Sequence, residues 1–348
     1  MYLDFEKLDL DTLKKEYSDE AYLFSVLDFL EHFMKEETFV SITSGSTGTP
    51  KSISFSKYRA LESAKLSNEF FNITHHTFII HCLDIKYIGS KMLLIRALIA
   101  KAKVKVFKPS LDFFNFCDKG EIDFISLTPL HLHAILNTKP DFFSQVKLCL
   151  IGASGVSKKL ENAISKIKTK TKFYESFAMT ETLSHFAIRN ISAREKSFRL
   201  LKGFKLSVNS DQCLQLQHDL ILPEGIESKD VVNIEQDGTF TFLGRADNVI
   251  NTGGVKVNPE VLEYEWSSFL PFKFIIASED DPVLGQKIIM IVENNPNQSK
   301  SKIIDLLQYN NIPNRLQPKA YFTTNNWVES ETHKPIRRKI YMTRIYLN

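Results

Sequence analysis

Hydrophobic and polar positions follow two successive rhythms along the chain. Residues 12–36 carry leucines and a methionine at three- and four-residue spacing, which predicts one amphipathic helix. Segments of strand and helix length then alternate up to about residue 170. The predicted strands are 38–42, 53–55, 77–83, 104–107, 122–127 and 147–151, and the predicted helices are 57–70, 90–100, 129–136 and 158–168. This alternation predicts an α/β fold with mixed, largely parallel sheets and flanking helices.

The rhythm changes after about residue 200. Residues 214–217 and 239–243 have the pattern of antiparallel strands, with the turn signal Asp237-Gly238 before the second. A shorter α+β pattern follows, with helices at 259–269 and 300–309 and strands at 273–277 and 288–292. We therefore predict a large N-terminal domain over residues 1–246 and a small α+β C-terminal domain over residues 247–348.

Composition and charge exclude several classes of protein. The 44 lysines and arginines nearly balance the 41 acidic residues, for a net charge of +3, which argues against nucleic acid as the main partner. The apolar stretch 92–100 is interrupted by Arg96 and is too short to span a bilayer. Four widely spaced cysteines show no metal or redox motif, and the N-terminus lacks a signal-peptide pattern. These features predict a cytoplasmic protein without a membrane span.

A polar loop follows the first predicted strand. It runs from Thr43 through Ser44, Gly45, Ser46, Thr47 and Gly48 to Lys51. Glycines let a backbone approach an anion, hydroxyls and turn amides donate to phosphate oxygens, and a lysine adds charge. Pro50 stands where a Walker loop has the glycine before its lysine, so this is a different kind of phosphate loop. An ordinary polar surface loop is the alternative.

Four further motifs follow in order along the chain. They are Ile151-Gly152-Ala153-Ser154-Gly155; Phe177-Ala178-Met179-Thr180-Glu181-Thr182; Asp230 with Gly244-Arg245-Ala246-Asp247 and the later Gly253-Gly254-Val255-Lys256; and Thr332-His333-Lys334-Pro335-Ile336-Arg337. Taken singly, the first fits any strand-to-helix turn and the second fits a capped helix start. The last fits a solvated basic tail.

Together, these motifs resemble those of the adenylate-forming superfamily of acyl-CoA synthetases, peptide-synthetase adenylation domains and luciferases. The resemblance implies that the residues 43–51 hold the triphosphate and that Gly152, Ala153 and Ser154 form one wall of the adenine pocket. It also implies that Phe177 lies near adenine. Three departures are Phe177 for tyrosine, Ala178 for glycine and His333 for glycine.

The resemblance implies further roles for individual residues. Thr180 would bind phosphate, Glu181 would hold Mg²⁺ and Asp230 would accept from the ribose hydroxyls. Arg245 would contact ribose or phosphate, Asp247 would be the hinge of a mobile C-terminal domain, and Gly253, Gly254 and Lys256 would close over the site for thiol transfer. Lys334 would be the catalytic lysine, with Lys339 as a lower-ranked alternative.

The short N-terminal region, with the segments 180–185 and 248–254, is similar to the short bacterial O-succinylbenzoate–CoA ligases of menaquinone synthesis. This resemblance implies ATP, Mg²⁺ and coenzyme A as cofactors and a small carboxylic acid as substrate. We expect Lys91, Ser184 and His185 to line the acid pocket, with a helix-end lysine and a structural histidine as the alternatives. A carrier-loading adenylation protein, an aryl or fatty acid–CoA ligase and a binding protein on a decayed scaffold remain open, as does a homodimer.

Overall fold

The computed structural model of the chain describes residues 1–43, 51–295, 299–330 and 335–347. The strands of its first part are β1 (Tyr2–Asp4), β2 (Thr38–Thr43), β3 (Lys51–Ser56), β4 (Phe78–His81), β5 (Lys103–Val106), β6 (Ile122–Leu127), β7 (Val146–Ile151), β8 (Lys172–Ala178), β9 (His185–Asn190) and β10 (Arg199–Leu200). The later strands are β11 (Lys205–Val208), β12 (Cys213–His218), β13 (Leu222–Ile234), β14 (Phe240–Arg245), β15 (Ile250–Thr252), β16 (Val255–Val257), β17 (Phe274–Asp281), β18 (Gly285–Glu293), β19 (Ala320–Thr324) and β20 (Ile345–Tyr346). The helices are α1 (Leu10–Glu16), α2 (Ala21–Lys35), α3 (Lys57–Phe71), α4 (Ile88–Ala100), α5 (Pro129–Thr138), α6 (Lys158–Ile164), α7 (Pro259–Trp266), α8 (Lys300–Tyr309) and α9 (Arg337–Met342).

The largest sheet confirms the predicted mixed, largely parallel α/β architecture. Its strand order is β1-β5-β4-β6-β7-β8-β9-β10. The five strands from β5 to β8 pair in parallel, whereas β1, β9 and β10 are antiparallel additions at the edges. Most residues of the central strands β4, β6 and β7 are apolar and buried, as is typical of a parallel sheet covered on both faces. The carboxyl ends of the parallel strands therefore meet at one edge, where ligands of such sheets usually bind.

Two further sheets follow in the order that the change of rhythm predicts. Strands β11 to β14 form an antiparallel sheet, and β15 to β20 form a separate sheet. Two hydrophobic clusters between residues 250 and 347 pack around the last sheet. We refer to residues 250–347 as the C-terminal unit, and the domain boundary at residues 246 and 247 stays a prediction.

The prediction of one helix over residues 12–36 is wrong. The structure has two helices there, α1 and α2, which are separated by residues 17–20. Ser18 and Asp19 lie in this break, and short polar side chains of this kind compete with helical backbone hydrogen bonds. Lys14 of α1 forms ion pairs with Asp28 and Glu31 of α2, so the two helices pack against each other. Because the apolar periodicity continues across residues 17–20, the sequence pattern does not indicate the break.

Helix α4 is buried on almost every side. All residues from Met92 to Ala97 are buried, and they include the charged Arg96. A helix that is apolar all round belongs in a protein core or in a membrane. In the described parts of the chain, no helix combines the length and the apolar content that crossing a bilayer needs. Here α4 packs against α3 and β4, which makes its single arginine conspicuous.

Candidate active site

One group of predicted nucleotide ligands converges where β13 meets β14. Asp230 and Arg245 are direct neighbours across these strands, and one guanidinium nitrogen of Arg245 donates to Asp230 Oδ1 at 3.2 Å. The other nitrogen donates to Asp247 Oδ2 at 3.4 Å. Asp230 is buried, whereas Asp247 is exposed. The structure therefore brings the predicted ribose acceptor, its arginine and the predicted hinge residue together.

The predicted adenine wall follows β7 at the carboxyl edge of the main sheet. A Cβ atom at Gly152 would lie 2.7 Å from Ser176 Oγ on the adjacent strand β8, so only glycine fits without a shift. Ala153 adopts a φ of +73°, a left-handed conformation that costs energy in a residue other than glycine. The turn at Gly152, Ala153 and Ser154 is thus tightly fitted against the strand that carries Phe177.

Phe177 connects this wall to the Asp230–Arg245 pair. Its ring centroid lies 5.4 Å from that of Phe240 and 5.5 Å from that of Phe242, both on β14. Three residues beyond Phe242, the same strand ends at Arg245. Because Phe177 is only half-buried, it packs on β14 and keeps part of its ring accessible. The motifs that the sequence places 50 or more residues apart therefore lie next to one another.

Thr180 and Glu181 lie in a short helical turn directly after β8. Thr180 is half-buried and Glu181 is exposed. Within the described residues, no group of three or more histidine, cysteine, aspartate and glutamate side chains is arranged to hold a metal. A single exposed carboxylate suits Mg²⁺ bound mainly by phosphate oxygens and water, so Glu181 fits the predicted role.

Several predicted residues lie outside the described residues. They are Ser44, Gly45, Ser46, Thr47 and Gly48 of the phosphate loop and Lys334 near the C-terminus. The backbone of Thr43 pairs with that of Lys51, so β2 and β3 form a hairpin whose ends carry the loop. Lys339 lies on α9 and is exposed.

Gly253 and Gly254 form the two-residue turn between β15 and β16. Their φ values are +57° and +78°, as a hairpin turn of this type requires. Lys256 follows on β16 and is exposed. These three residues therefore stand on an exposed hairpin of the C-terminal unit, where a role in closing over a site stays a prediction.

A buried polar cluster contains Ser184 and His185 together with a residue that the sequence analysis did not assign, Arg96. The Arg96 guanidinium donates to Ser184 Oγ, and it lies 3.4 Å from His185 Nδ1. Because a guanidinium has only donors, Nδ1 accepts, and His185 Nε2 donates to Ser67 Oγ at 3.1 Å. All four side chains, including Ser67, belong to residues that are at least 93% buried. We call these four residues the Arg96 cluster.

The charge of the Arg96 cluster is not balanced by a carboxylate in the described residues. Burial lowers the pKa of Arg96 to about 10, which leaves the side chain a cation at neutral pH. Burial, followed by the charge of Arg96, holds the pKa of His185 well below its usual value, so His185 is neutral. Arg96 Nε has no hydrogen-bond partner in the described part of the chain. In the sequence, Arg96 is visible as the one charged residue of the apolar stretch 92–100, but nothing there indicates its partners.

The structure does not place Lys91 in this cluster. Its ammonium donates to the backbone oxygen of Val40 on β2 and lies 5.2 Å from the ring centroid of Phe29. Lys91 thus connects the start of α4, by a hydrogen bond, to the hairpin that carries the predicted phosphate loop. Its position in the acid pocket stays a prediction, and so does the alternative of a lysine at the solvent end of the helix.

Comparisons with known proteins identify the family and the fold. A family model described as AMP-binding enzyme matches residues 13–203, more than half of the chain. The 2-succinylbenzoate–CoA ligase of Haemophilus influenzae is 23% identical over 305 residues, which are 81% of this chain but 66% of that protein. A medium/long-chain-fatty-acid–CoA/3-oxocholest-4-en-26-oate–CoA ligase of Mycobacterium tuberculosis is 37% identical over 68 residues, 19% of this chain and 12% of that protein. The chain thus spans less than two thirds of the length of these relatives.

Two solved structures share the fold over most of the chain. The acyl-CoA synthetase (AMP-forming)/AMP-acid ligase II-like protein from Dyadobacter fermentans is 25% identical, with a TM-score of 0.62 over 93% of this chain and 94% of that chain. The o-succinylbenzoate CoA synthetase from Bacillus subtilis, in complex with its acyl-adenylate intermediate, is 17% identical, with a TM-score of 0.76 over 86% of this chain and 68% of that chain. From the extent of the family match and the shared fold, we conclude that the chain belongs to the AMP-binding enzyme family.

Proposed function

We propose that the chain is an AMP-forming acid–CoA ligase. In the first step, a carboxylate oxygen of the acid attacks the α-phosphorus of ATP, and pyrophosphate leaves. In the second step, the thiolate of coenzyme A attacks the acyl carbon, and AMP leaves. Support comes from the family membership and from the contacts that join Asp230, Arg245 and Phe177 around one edge of the main sheet. Lys334 and the residues 43–51 keep their predicted roles as part of this proposal.

We further propose that the acid carries a second carboxylate, as 2-succinylbenzoate does. The observation that carries this proposal is the buried Arg96, whose charge has no carboxylate partner in the described residues. An uncompensated buried cation is costly, and a ligand carboxylate would remove that cost. Ser184 and His185 flank the guanidinium and can orient an anion or a carbonyl group. A monocarboxylic fatty acid would leave Arg96 unpaired.

The test is acid-dependent exchange of pyrophosphate into ATP, measured with 2-succinylbenzoate, benzoate and octanoate. We expect exchange with the diacid and little with the two monoacids. Exchange that is equally fast with octanoate would overturn the diacid proposal and favour a fatty acid–CoA ligase. The second step is then measured as formation of the acyl thioester of coenzyme A. Acyl transfer to a carrier protein but not to coenzyme A would favour the carrier-loading alternative.

Substitution of Arg96 assigns the effect to one side chain. We expect Arg96→Met to lower kcat/KM for 2-succinylbenzoate by at least about 30-fold, because removing one partner of a buried charge pair costs about 2–5 kcal/mol. Lys65→Met is the control, since Lys65 is an exposed cation on the neighbouring helix α3 whose ammonium pairs with Glu62. Equal losses in both variants, or a normal rate in Arg96→Met, would contradict the assignment.

A further inference from the structure

A continuous chain of polar contacts starts at the loop of residues 152–156, which includes the predicted adenine wall. The backbone N–H of Val156 donates to Glu175 Oε1 at 2.8 Å. The other oxygen of that carboxylate accepts from Arg189 Nε at 2.5 Å. Glu175 lies on β8 and Arg189 on β9, so the loop is held from beneath by two neighbouring strands. The fitted Gly152 and the strained Ala153 lie in the same loop, whose shape thus depends on this support.

The chain continues from Arg189 to the C-terminal unit. Arg189 Nη2 donates to Glu161 Oε1 on α6 at 2.5 Å, and Glu161 Oε2 accepts from the Tyr264 hydroxyl at 2.7 Å. Tyr264 belongs to α7, beyond the predicted boundary. A second contact lies beside it, because the backbone N–H of Lys159 on α6 donates at 3.4 Å to Oγ of Ser267, the residue that follows α7. Helix α7 is therefore attached to helix α6 of the N-terminal part of the chain through a specific polar contact.

Each carboxylate in this chain divides its two oxygens between different elements. Glu175 gives one oxygen to the loop and one to Arg189, and Glu161 gives one to Arg189 and one to α7. Arg189 and Glu175 are 7% and 4% exposed, so water offers few substitute partners. In such a network, a displaced member changes the geometry of the next one. A movement of α7 can therefore reach the loop through four successive hydrogen bonds.

We propose that Arg189 is a positioning residue that couples nucleotide binding to the orientation of the C-terminal unit. It acts through Glu175 on the loop 152–156 and through Glu161 on Tyr264. The inference rests on the proposed function, because it takes this loop as a wall of the nucleotide site. It assigns a role to four residues that none of the predicted motif functions uses.

A double-mutant cycle on AMP affinity tests the coupling by calorimetry. Tyr264→Phe removes only the hydroxyl of α7, and Glu175→Gln weakens the link to Arg189 while it keeps an acceptor for Val156. We expect each variant to weaken AMP binding by about 5-fold or more, in the range typical of coupled sites. The double variant should be no weaker than the worse single variant, because both changes break the same chain. Effects that multiply, or a Tyr264→Phe affinity within 2-fold of wild type, would overturn the proposal.

Tyr309→Phe is the matched control, since Tyr309 is a tyrosine of the same unit that is 85% exposed. It should leave AMP affinity unchanged. If Glu175→Gln does not fold, backbone hydrogen exchange at Val156 replaces the cycle. We expect faster exchange in Tyr264→Phe than in Tyr309→Phe, and equal rates would overturn the coupling.

The two proposals fail in different ways. Wild-type protein that binds no AMP would contradict the proposed function and the nucleotide side of the coupling, and the exchange measurement would then test only the link from Tyr264 to the loop. Wild-type protein that binds AMP normally, with independent effects of the variants, would contradict only the coupling.

Discussion

Two buried arginines occupy opposite electrostatic situations in this molecule. Arg189 has a carboxylate on each side, Glu175 and Glu161, both at 2.5 Å. Arg96 is surrounded by neutral groups, with Ser184 and His185 as its hydrogen-bond partners. Burial alone would lower the pKa of Arg189, but the two carboxylates raise it above its usual value, whereas burial lowers the pKa of Arg96.

We interpret the paired Arg189 as a charge that stabilises the fold and the unpaired Arg96 as a charge that binds a ligand. A buried ion pair that already has its partners has no need of an external anion. A buried cation without an anionic partner weakens the protein and persists where binding requires it. The contrast predicts different effects on stability in three variants.

The largest effect is expected from Arg189→Met. This change leaves Glu175 buried without its cation, so the free energy of unfolding should fall by about 3–5 kcal/mol in urea titrations at pH 7.5. Burial already raises the pKa of Glu175, and protonation at lower pH favours a carboxyl of this kind in the folded state. The deficit should therefore shrink at pH 5.

Arg199→Met serves as the control for this prediction. Arg199 is mostly exposed, and its ion pair with Glu195 spans 4.0 Å. It should change stability by less than about 1 kcal/mol. Similar losses in the two variants would show that Arg189 is not a special anchor.

A smaller effect is expected from the pH response of His185. Its folded pKa lies well below the unfolded value of 6.5, because of burial and then Arg96. The unfolded chain therefore takes up a proton first as pH falls, and the stability that is present above pH 6.5 is lost below it, by at most about 1.4 kcal/mol per pH unit. His185→Gln should flatten this loss between pH 6.5 and 5.5 in urea titrations.

Exposed His75 provides the matched control, and His75→Gln should keep the wild-type slope. Some slope will remain in His185→Gln, because burial also lowers the pKa of His81 to about 4. An unchanged slope in His185→Gln would mean that His185 takes up its proton equally in the folded and unfolded chains.

The smallest change in stability is expected from Arg96→Met, although the same variant should lose most of its activity. Methionine fills a similar volume without a buried charge, so the free energy of unfolding should stay within about 1 kcal/mol of wild type or rise. Thermal and urea unfolding of the protein without ligand measure this. A loss comparable to that of Arg189→Met would mean that Arg96 is also a structural anchor.

Local patterns of the sequence predict much of the fold. Strand β6 lies at the predicted residues 122–127, and α3 begins at the predicted Lys57. These elements have clear periodicity and direct neighbours in sequence. Strand β13 is not among the predicted strands, because Pro223 and Gly225 interrupt its pattern and its pairing with β12 is irregular. Its position is set by partner strands, which the local pattern does not contain.

The candidate site also has one part that the sequence predicts and one part that it does not. The pairing of Asp230 with Arg245 joins two motif residues, each of which the sequence marks by its neighbours. The contact of Arg96 with Ser184 joins residues 88 positions apart, and no motif surrounds Arg96. For Lys91, a charge at the start of an apolar helix was visible, but its direction depends on where β2 lies. Side-chain direction, more than residue identity, is what the sequence leaves open.

The hydrogen bond from Lys91 to Val40 has a practical consequence for the redesign of acid specificity. Helix α4 is attached to the β2–β3 hairpin near its start and carries Arg96 more than a turn later. Substitutions near the start of α4, at or beside Lys91, would therefore disturb the base of the predicted phosphate loop as well. Strand β9, which presents His185 from the facing side, offers positions where acid preference can be altered with the hairpin left in place. A library for new substrates should begin there.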